Sequence, residues 1–422
     1  MPWFGVVALV LSFVIRGSAA LGHTAQRYPD SIGYDTLTFF SRTDRPWPIP
    51  FVYASAGSDA NRVFVQVLVG TIAWGTLAWV LSRSLRWQRT AFAATLIFGL
   101  LPQVIRYDVA ILSESLSISF AVLAVAATLH RLHVRTAIAT TWWAVSLTLC
   151  VMSRPTHFIV ILVCVAPVMW RFIASKGKKL TLGAVGLLTL FLFSIFTMQQ
   201  SQHMSLLNLY TVVSSRVISD DNRYEWFVEQ GMPNIDGMRT ATGYDYAEDL
   251  PSDVADVVQL PEDQQPPSLM RVGGVELATW LQDNGWWTLF KYLTTHPRDT
   301  FAHATELSDT TLNPSNGDFL PLKNGPMIPW AFALTWQMWS LIFAACCGLL
   351  AIQRSTRQYG KTLLAMFLTA LLVYIVTVHT SGIEHVRHSS TVAVIIRVLG
   401  FASVLAMLPK KSLNQILDED VE

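Results

Sequence analysis

Four short stretches carry residue types that can do chemistry. Arg27-Tyr28-Pro29-Asp30-Ser31 places a carboxylate in a polar turn, and Ser113-Glu114-Ser115 places another inside apolar sequence. Arg154, followed by Pro155, Thr156 and His157, offers a guanidinium beside an imidazole, and Glu384-His385-Val386-Arg387-His388 combines all three groups. A carboxylate such as Asp30 can take a proton from a hydroxyl or amine acceptor and position it for attack, which is general base work. The alternative for Asp30 is a surface residue in a turn, which Pro-Asp-Ser favours by itself. A charge in apolar sequence, as at Glu114, is expensive unless paired or watered. It either lines a polar cavity or pairs with Arg106 or Arg154. Arginines suit phosphate or pyrophosphate because the planar fork bonds two oxygens at once and keeps its charge; their other use is to hold lipid headgroups. His385 and His388, at i and i+3, can share a helix face with Glu384 as a third group. No further compact ligand set accompanies them, so the pattern demands no metal. Nothing matches GxGxxG, a Walker loop, GxSxG or HExxH where it would fit, which leaves a soluble nucleotide donor without a visible site.

The elements that must position these groups are helices crossing a bilayer. The chain is 52% hydrophobic and 14% charged with a mean hydropathy of +0.40, far from a soluble domain. We read an all-α polytopic membrane protein. Apolar runs long enough to span lie near 3–21, 62–82, 90–105, 109–129, 137–153, 158–173, 180–198, 327–350, 361–378 and 391–408, about ten spans. Lys and Arg crowd every second loop: Arg83, Arg86 and Arg89; Arg131 and Arg135; Arg171, Lys176, Lys178 and Lys179; Arg354, Arg357 and Lys361; Lys410 and Lys411. By the positive-inside rule these loops and both ends are cytoplasmic, and the four chemical stretches gather at the outer face. Ser18-Ala19-Ala20 resembles a signal-peptide cleavage site, but no basic region precedes it and Arg16 interrupts its end, so the first helix is expected to be retained. The net charge of +1 argues against nucleic acid as a partner. Cys150, Cys164, Cys346 and Cys347 fall in spans and are expected to be packing residues.

The resulting organisation is a transmembrane core over 1–198 with a catalytic first external loop at 22–61, one large external loop over 199–326, C-terminal transmembrane helices over 327–408 and a tail at 409–422. The first loop is rich in Pro and aromatics around Arg45-Pro46-Trp47-Pro48, and between Tyr34 and Phe40 it suits a short amphipathic helix on the membrane surface. The large loop reads helical over Asn208 to Gly231 and again over Glu276 to His303, with an acidic, Pro-containing flexible stretch from Gly243 to Pro267. Its aromatics Trp280, Trp286, Trp287, Phe290 and Tyr292 suit a membrane interface before a sugar-stacking surface.

Tyr28-Pro29-Asp30-Ser31-Ile32-Gly33-Tyr34, the Arg45 stretch, Leu112-Ser113-Glu114-Ser115-Leu116 and Ser153-Arg154-Pro155 together resemble the polyprenyl-phosphate-sugar-dependent glycosyltransferases of the GT-C type. Protein mannosyltransferases, lipid A aminoarabinose transferases and mycobacterial arabinofuranosyltransferases belong to that superfamily. Trp226-Phe227 to Gly231-Met232-Pro233 and Trp280 through His296-Pro297 are similar to bacterial members. The resemblance covers the first four or five helices best. It implies a GT-C-like core in a multi-pass bacterial cell-membrane protein, a donor held by its lipid phosphate, and inverting transfer of a hexosyl or pentosyl group at the outer face. The acceptor is a lipid, a glycan or a protein. Asp30 becomes the base or acceptor-orienting carboxylate, with Tyr34, Asp35, Arg45 and Arg106 among the substrate-binding residues. Glu114 lines the sugar or acceptor cavity, and Arg154, His157, His385, Arg387 and His388 hold the phosphate. A single carboxylate stands before Ser31 where many members carry a pair, so a divalent metal stays open and no cofactor is required. Three other classes remain: a polysaccharide polymerase or ligase acting on lipid-pyrophosphate glycans; a lipid or solute transporter, which calls for broken helices or charges near the bilayer midplane; and a purely structural membrane subunit.

Overall fold

A computed structural model describes residues 2–21, 23–35, 47–160, 202–235, 238–241, 275–313, 334–382 and 384–409. Arg45, the 158–173 and 180–198 spans beyond residue 160, most of the surface helix expected after Tyr34 and the acidic stretch 243–267 lie outside these residues. Among the described residues the secondary structure is helical, apart from an isolated parallel bridge between Gln26 and Ala110. Among the described residues five helices are long and apolar enough to cross a membrane: α1 (Trp3–Leu21 of Pro2–Leu21), α2 (Asp59–Ser82), α3 (Glu114–His133), α4 (Arg357–Thr380) and α5 (His385–Met407). A sixth crossing is formed if Gln88–Gly99 and Pro102–Val109, bent by 54° at their junction, count as one span. Two shorter apolar helices, Ala137–Met152 and Trp336–Ile352, fall where further spans were expected. Large apolar side chains stay exposed along α1, at Val6, Val7, Val10, Leu11 and Val14, and along α4, at Leu364, Leu368 and Leu372. Water penalises such a surface and acyl chains accept it, so these are the helices of a membrane protein.

The chain divides into two compact units, one comprising Met1–Gln199, Leu312–Val373 and Ser390–Glu422, the other Gln200–Thr311 and Tyr374–Ser389. In the first unit α2 packs against α1, Gln88–Gly99 and α3, and α3 packs against Ala137–Met152. Local sequence starts these helices where the capping chemistry permits. Ser58 accepts the Asn61 amide at the head of α2, and Thr136 accepts the Ala139 amide at the head of Ala137–Met152. The span expected to begin at 109 begins instead at Glu114. Pro102 opens the second half of the bent pair, the chain runs to Val109, and residues 110–113 make a buried turn before α3 starts. Glu114 thus stands in the first turn of its helix, where unpaired amides favour an anion.

The second unit has its own hydrophobic core, which includes Tyr210, Val213, Val217, Phe227, Trp280 and Tyr292. The 202–235 region is Gln202–Val212, a π-helical turn over Val213–Val217 and Asp221–Glu229, the last capped by Asp220 on the Arg223 amide. The 275–313 region includes a second π turn at Leu281–Gly285, then Trp286–Thr295 and Pro297–Leu312. The aromatics expected at a membrane interface divide: Trp280 and Tyr292 are core, Trp286 packs against it, and Trp287 and Phe290 are exposed. The turn between α4 and α5 lies on the Thr211 backbone, where a Cβ at Gly382 would come within 2.1 Å of the Thr211 carbonyl carbon.

Candidate functional site

In the first unit, the loop that follows α1 is folded onto the turn that precedes α3. Pro29–Tyr34 forms a 3-10 helix, pinned by Ser31, whose hydroxyl accepts the Tyr28 amide and donates to the Ile111 carbonyl at 2.7 Å. The Gln26 amide donates to the Val109 carbonyl, and the Ile111 amide donates back to Gln26. Tyr34, buried, meets the Tyr53 ring edge-on, and the Tyr53 hydroxyl donates to the Leu112 carbonyl at 2.6 Å. The backbone that carries Asp30 therefore sits against the segment that leads into Glu114. The Asp30 side chain lies outside those described.

Glu114 pairs with Arg154, whose Nη2 also donates to the Ser113 hydroxyl. Of the two partners open to Glu114 from sequence, Arg154 is the one in contact. Arg106 lies over the Tyr107 ring instead, its guanidinium carbon 5.2 Å from the centroid. His157 is buried behind Arg154, its Nδ1 2.9 Å from the Cys150 carbonyl and near the Ser153 hydroxyl. Burial pushes its pKa down to about 4, so the ring is neutral and holds the end of Ala137–Met152. Asp35 sits in a four-membered network: Arg27 bonds both Asp35 and Asp59, and Arg62 reaches both as well. The Arg27 hydrogen bond holds the Asp35 carboxyl below the usual carboxylate range against the opposing effect of burial, which suits it to an ion pair and not to proton uptake.

Sequence reasoning passed over a second buried pair in this unit. Arg16 of α1 bonds Asp108 through two nitrogens, at 2.6 and 2.9 Å, and Ser115 donates to the same carboxylate at 2.6 Å. Gln66 donates to the carbonyls of Asp108 and Ala110, and Gly70 makes room: a Cβ there would lie 2.2 Å from the Arg16 guanidinium carbon. Arg16 in apolar sequence and Asp108 beside Arg106-Tyr107 were the available signals, but 92 residues separate the partners.

In the second unit, the Glu384-His385-Val386-Arg387-His388 stretch opens α5. Arg387 pairs with Glu384 and reaches His388 Nε2, and His388 Nδ1 meets the Ser381 hydroxyl. His385 turns to a residue not singled out from sequence, Arg216 of the π turn, at 3.2 Å. The His385 and His388 rings thus have different partners. Among the described residues no group of three His, Cys, Asp or Glu side chains is arranged to hold a metal ion. Arg216 also meets His379 Nδ1, and His379 Nε2 donates to the Thr300 carbonyl at 3.0 Å. Arg223 pairs with Asp299, which also accepts from the Tyr292 hydroxyl. Arg216 in the otherwise apolar Val212–Ile218 run was the sequence signal for this cluster.

No protein-family model matches the chain, and no curated protein matches it. Among solved structures it is similar to the archaeal oligosaccharyltransferase AglB from Archaeoglobus fulgidus, in complex with an inhibitory peptide and a dolichol-phosphate, at 12% identity and a TM-score of 0.42. The match covers 99% of this chain and 52% of that one, so the chain spans about half the length of the protein it matches. Likeness at this level carries no argument about what the chain does.

Proposed function

We propose that this protein is an integral membrane glycosyltransferase that moves a sugar from a polyprenyl-phosphate donor to an acceptor at the outer membrane face, with inversion and with Asp30 as the base. The observation that supports the reading is the docking of the Pro29–Tyr34 turn on residues 109–113, the segment that leads into Glu114, the partner of Arg154. The resemblance of those same motifs supports it from the sequence side. In the reaction, Asp30 takes the proton of an acceptor hydroxyl as its oxygen attacks the anomeric carbon. The bond from that carbon to the phosphate oxygen breaks, and the lipid phosphate leaves with the electron pair, its charge stabilised by arginine and histidine donors. Tyr34 and Asp35 shape the turn from which Asp30 acts. Glu114 with Arg154 forms a fixed polar wall for sugar or acceptor.

The test is transfer by purified protein from a panel of polyprenyl-phosphate sugars. Asp30→Asn is expected to lower turnover by about 10²–10⁴ at matched folding, the usual worth of a general base; full activity in that variant removes Asp30 from the mechanism. A second reading, transport of a lipid or solute, has two observations in its favour. The bent pair Gln88–Gly99 and Pro102–Val109 and the fully buried Arg16–Asp108 pair are the broken helix and intramembrane charge that transporters use. Proteoliposomes separate the two, since a transporter moves its substrate unchanged while a transferase consumes the donor.

A further inference from the structure

We propose that Arg216, with His303, His379 and His385 around it, is a binding site for a phosphate-class oxyanion. Arg216 is 6% exposed. Its two terminal nitrogens meet ring nitrogens, His379 Nδ1 at 3.4 Å and His385 Nε2 at 3.2 Å. Both imidazoles accept there, which keeps those nitrogens unprotonated and leaves the guanidinium charge unneutralised. Among the described residues no carboxylate lies within ion-pair distance of Arg216. The nearby Asp299 is engaged by both Arg223 and Tyr292, and the Arg223 Nη1 donates to the Arg216 carbonyl. Within the cleft lining Arg216 and Arg223 stand against the single carboxylate of Asp299, while Glu306, largely exposed, lies outside the lining beside His303.

Two buried nitrogens of the cleft lining have no hydrogen-bond partner; the Arg216 Nε is a donor in every state, and the His303 Nε2 is one in the tautomer that carries its proton there. The Arg216 Nε and the His303 Nε2 are buried without a hydrogen-bond partner, and both residues line one partly open cleft with Arg223, Asp299 and His379. The cleft has room for a water-sized group, about 20 Å³, enough for an oxygen of an anion whose remainder lies in the mouth. Its other walls are apolar, Val212, Val217, Phe227, Leu289 and Leu293, which lowers the local dielectric and raises both the cost of the bare cation and the strength of any anion bond made there. Donors from the π turn and from Pro297–Leu312 approach from different elements. That suits a tetrahedral oxyanion better than a planar carboxylate. Glu306, 3.9 Å from His303 Nδ1 and largely exposed, stands on the other side of that ring.

Arg216 belongs to the π turn over Val213–Val217 and is buried beside the core residues Val213 and Val217; π insertions of this kind recur at functional sites. Gly382 fixes the other wall by allowing the α4–α5 turn, with His379 before it and His385 after, to lie on the Thr211 backbone.

The site stands on its own geometry and does not require the transferase reading. The experiment is calorimetric titration of the purified full chain in detergent with inorganic phosphate and, separately, with a short-chain phosphatidic acid. At least one probe is expected to bind wild type, about tenfold more weakly to Arg216→Gln, with Arg216→Lys between them and His303→Asn weakened about three- to tenfold. Binding of both probes identifies the phosphoryl group as sufficient; binding of the lipid probe alone identifies a headgroup as the occupant. No saturable binding of either probe to wild type up to roughly 10 mM overturns the proposal, as does undiminished affinity in Arg216→Gln. Should Arg216→Gln fail to elute as a monodisperse protein, unchanged affinity in both Arg216→Lys and His303→Asn has the same force. Transfer activity is not the readout, so an inactive Asp30→Asn protein that still binds phosphate leaves this site intact.

Discussion

Glu114 and Arg154 meet where α3 begins, and removing either partner alone leaves the other buried without its counter-charge. Loss of one member of a buried pair costs about 3–5 kcal/mol, whereas replacing both with apolar groups of similar size is often neutral. Glu114→Leu and Arg154→Met are each expected to lower the detergent unfolding midpoint strongly, and the Glu114→Leu, Arg154→Met double variant to recover most of that loss. Additive losses in that cycle, followed by thermal unfolding, would show that the two residues act separately. His157 makes a pH prediction. Its folded pKa, about 4, lies below the ordinary histidine value near 6.5, so the unfolded chain binds the proton more readily. Its contribution to stability is complete above pH 6.5 and declines as pH falls towards 4. His157→Gln is expected to flatten the stability profile across that window, and an unchanged slope would mean that other groups govern it.

The α1 and α2 helices are coupled by a cation that only a glycine admits. With Arg16 lying against Gly70, Gly70→Ala forces the guanidinium away from Asp108 and frees the carboxylate that also accepts from Ser115. The expected outcome is a destabilisation larger than the ordinary helix gain of Gly→Ala, about 1 kcal/mol in the opposite direction. Gly75→Ala meets only the end of the Leu9 side chain and serves as the comparison on the same helix. Equal unfolding midpoints for the two variants would detach Arg16 from the role assigned to it. At this scale the span near 109–129 was legible from hydropathy, but its start was not. Hydropathy averages over a window, while Pro102 and the buried turn at 110–113 set the boundary.

As a whole the molecule exposes apolar side chains that water would penalise. Val7, Leu11 and Val14 on α1 and Leu368 and Leu372 on α4 are more than a third exposed. Membranes carrying the protein are expected to retain it after alkaline carbonate extraction, and a photoactivatable lipid is expected to label α1 and α4 in preference to Trp74 or Phe98, which are buried. Release into the carbonate supernatant would count against a spanning arrangement.

The sequence by itself determined the class and the kinds of chemistry. Long apolar runs have few fates in water, and Asp30, Glu114, Arg154 and the 384–388 stretch stand out because charge is rare in such a chain. Helicity in the 208–231 and 276–303 regions was also readable, because the spacing of apolar residues is a local property. What only the tertiary structure decided is partnership. Arg16 finds Asp108 across 92 residues and Arg216 finds His385 across 169. Hydropathy gives no register between elements so far apart. The difference between a neutralised arginine such as Arg154 and the uncompensated Arg216 depends on which side chains packing brings within hydrogen-bond reach.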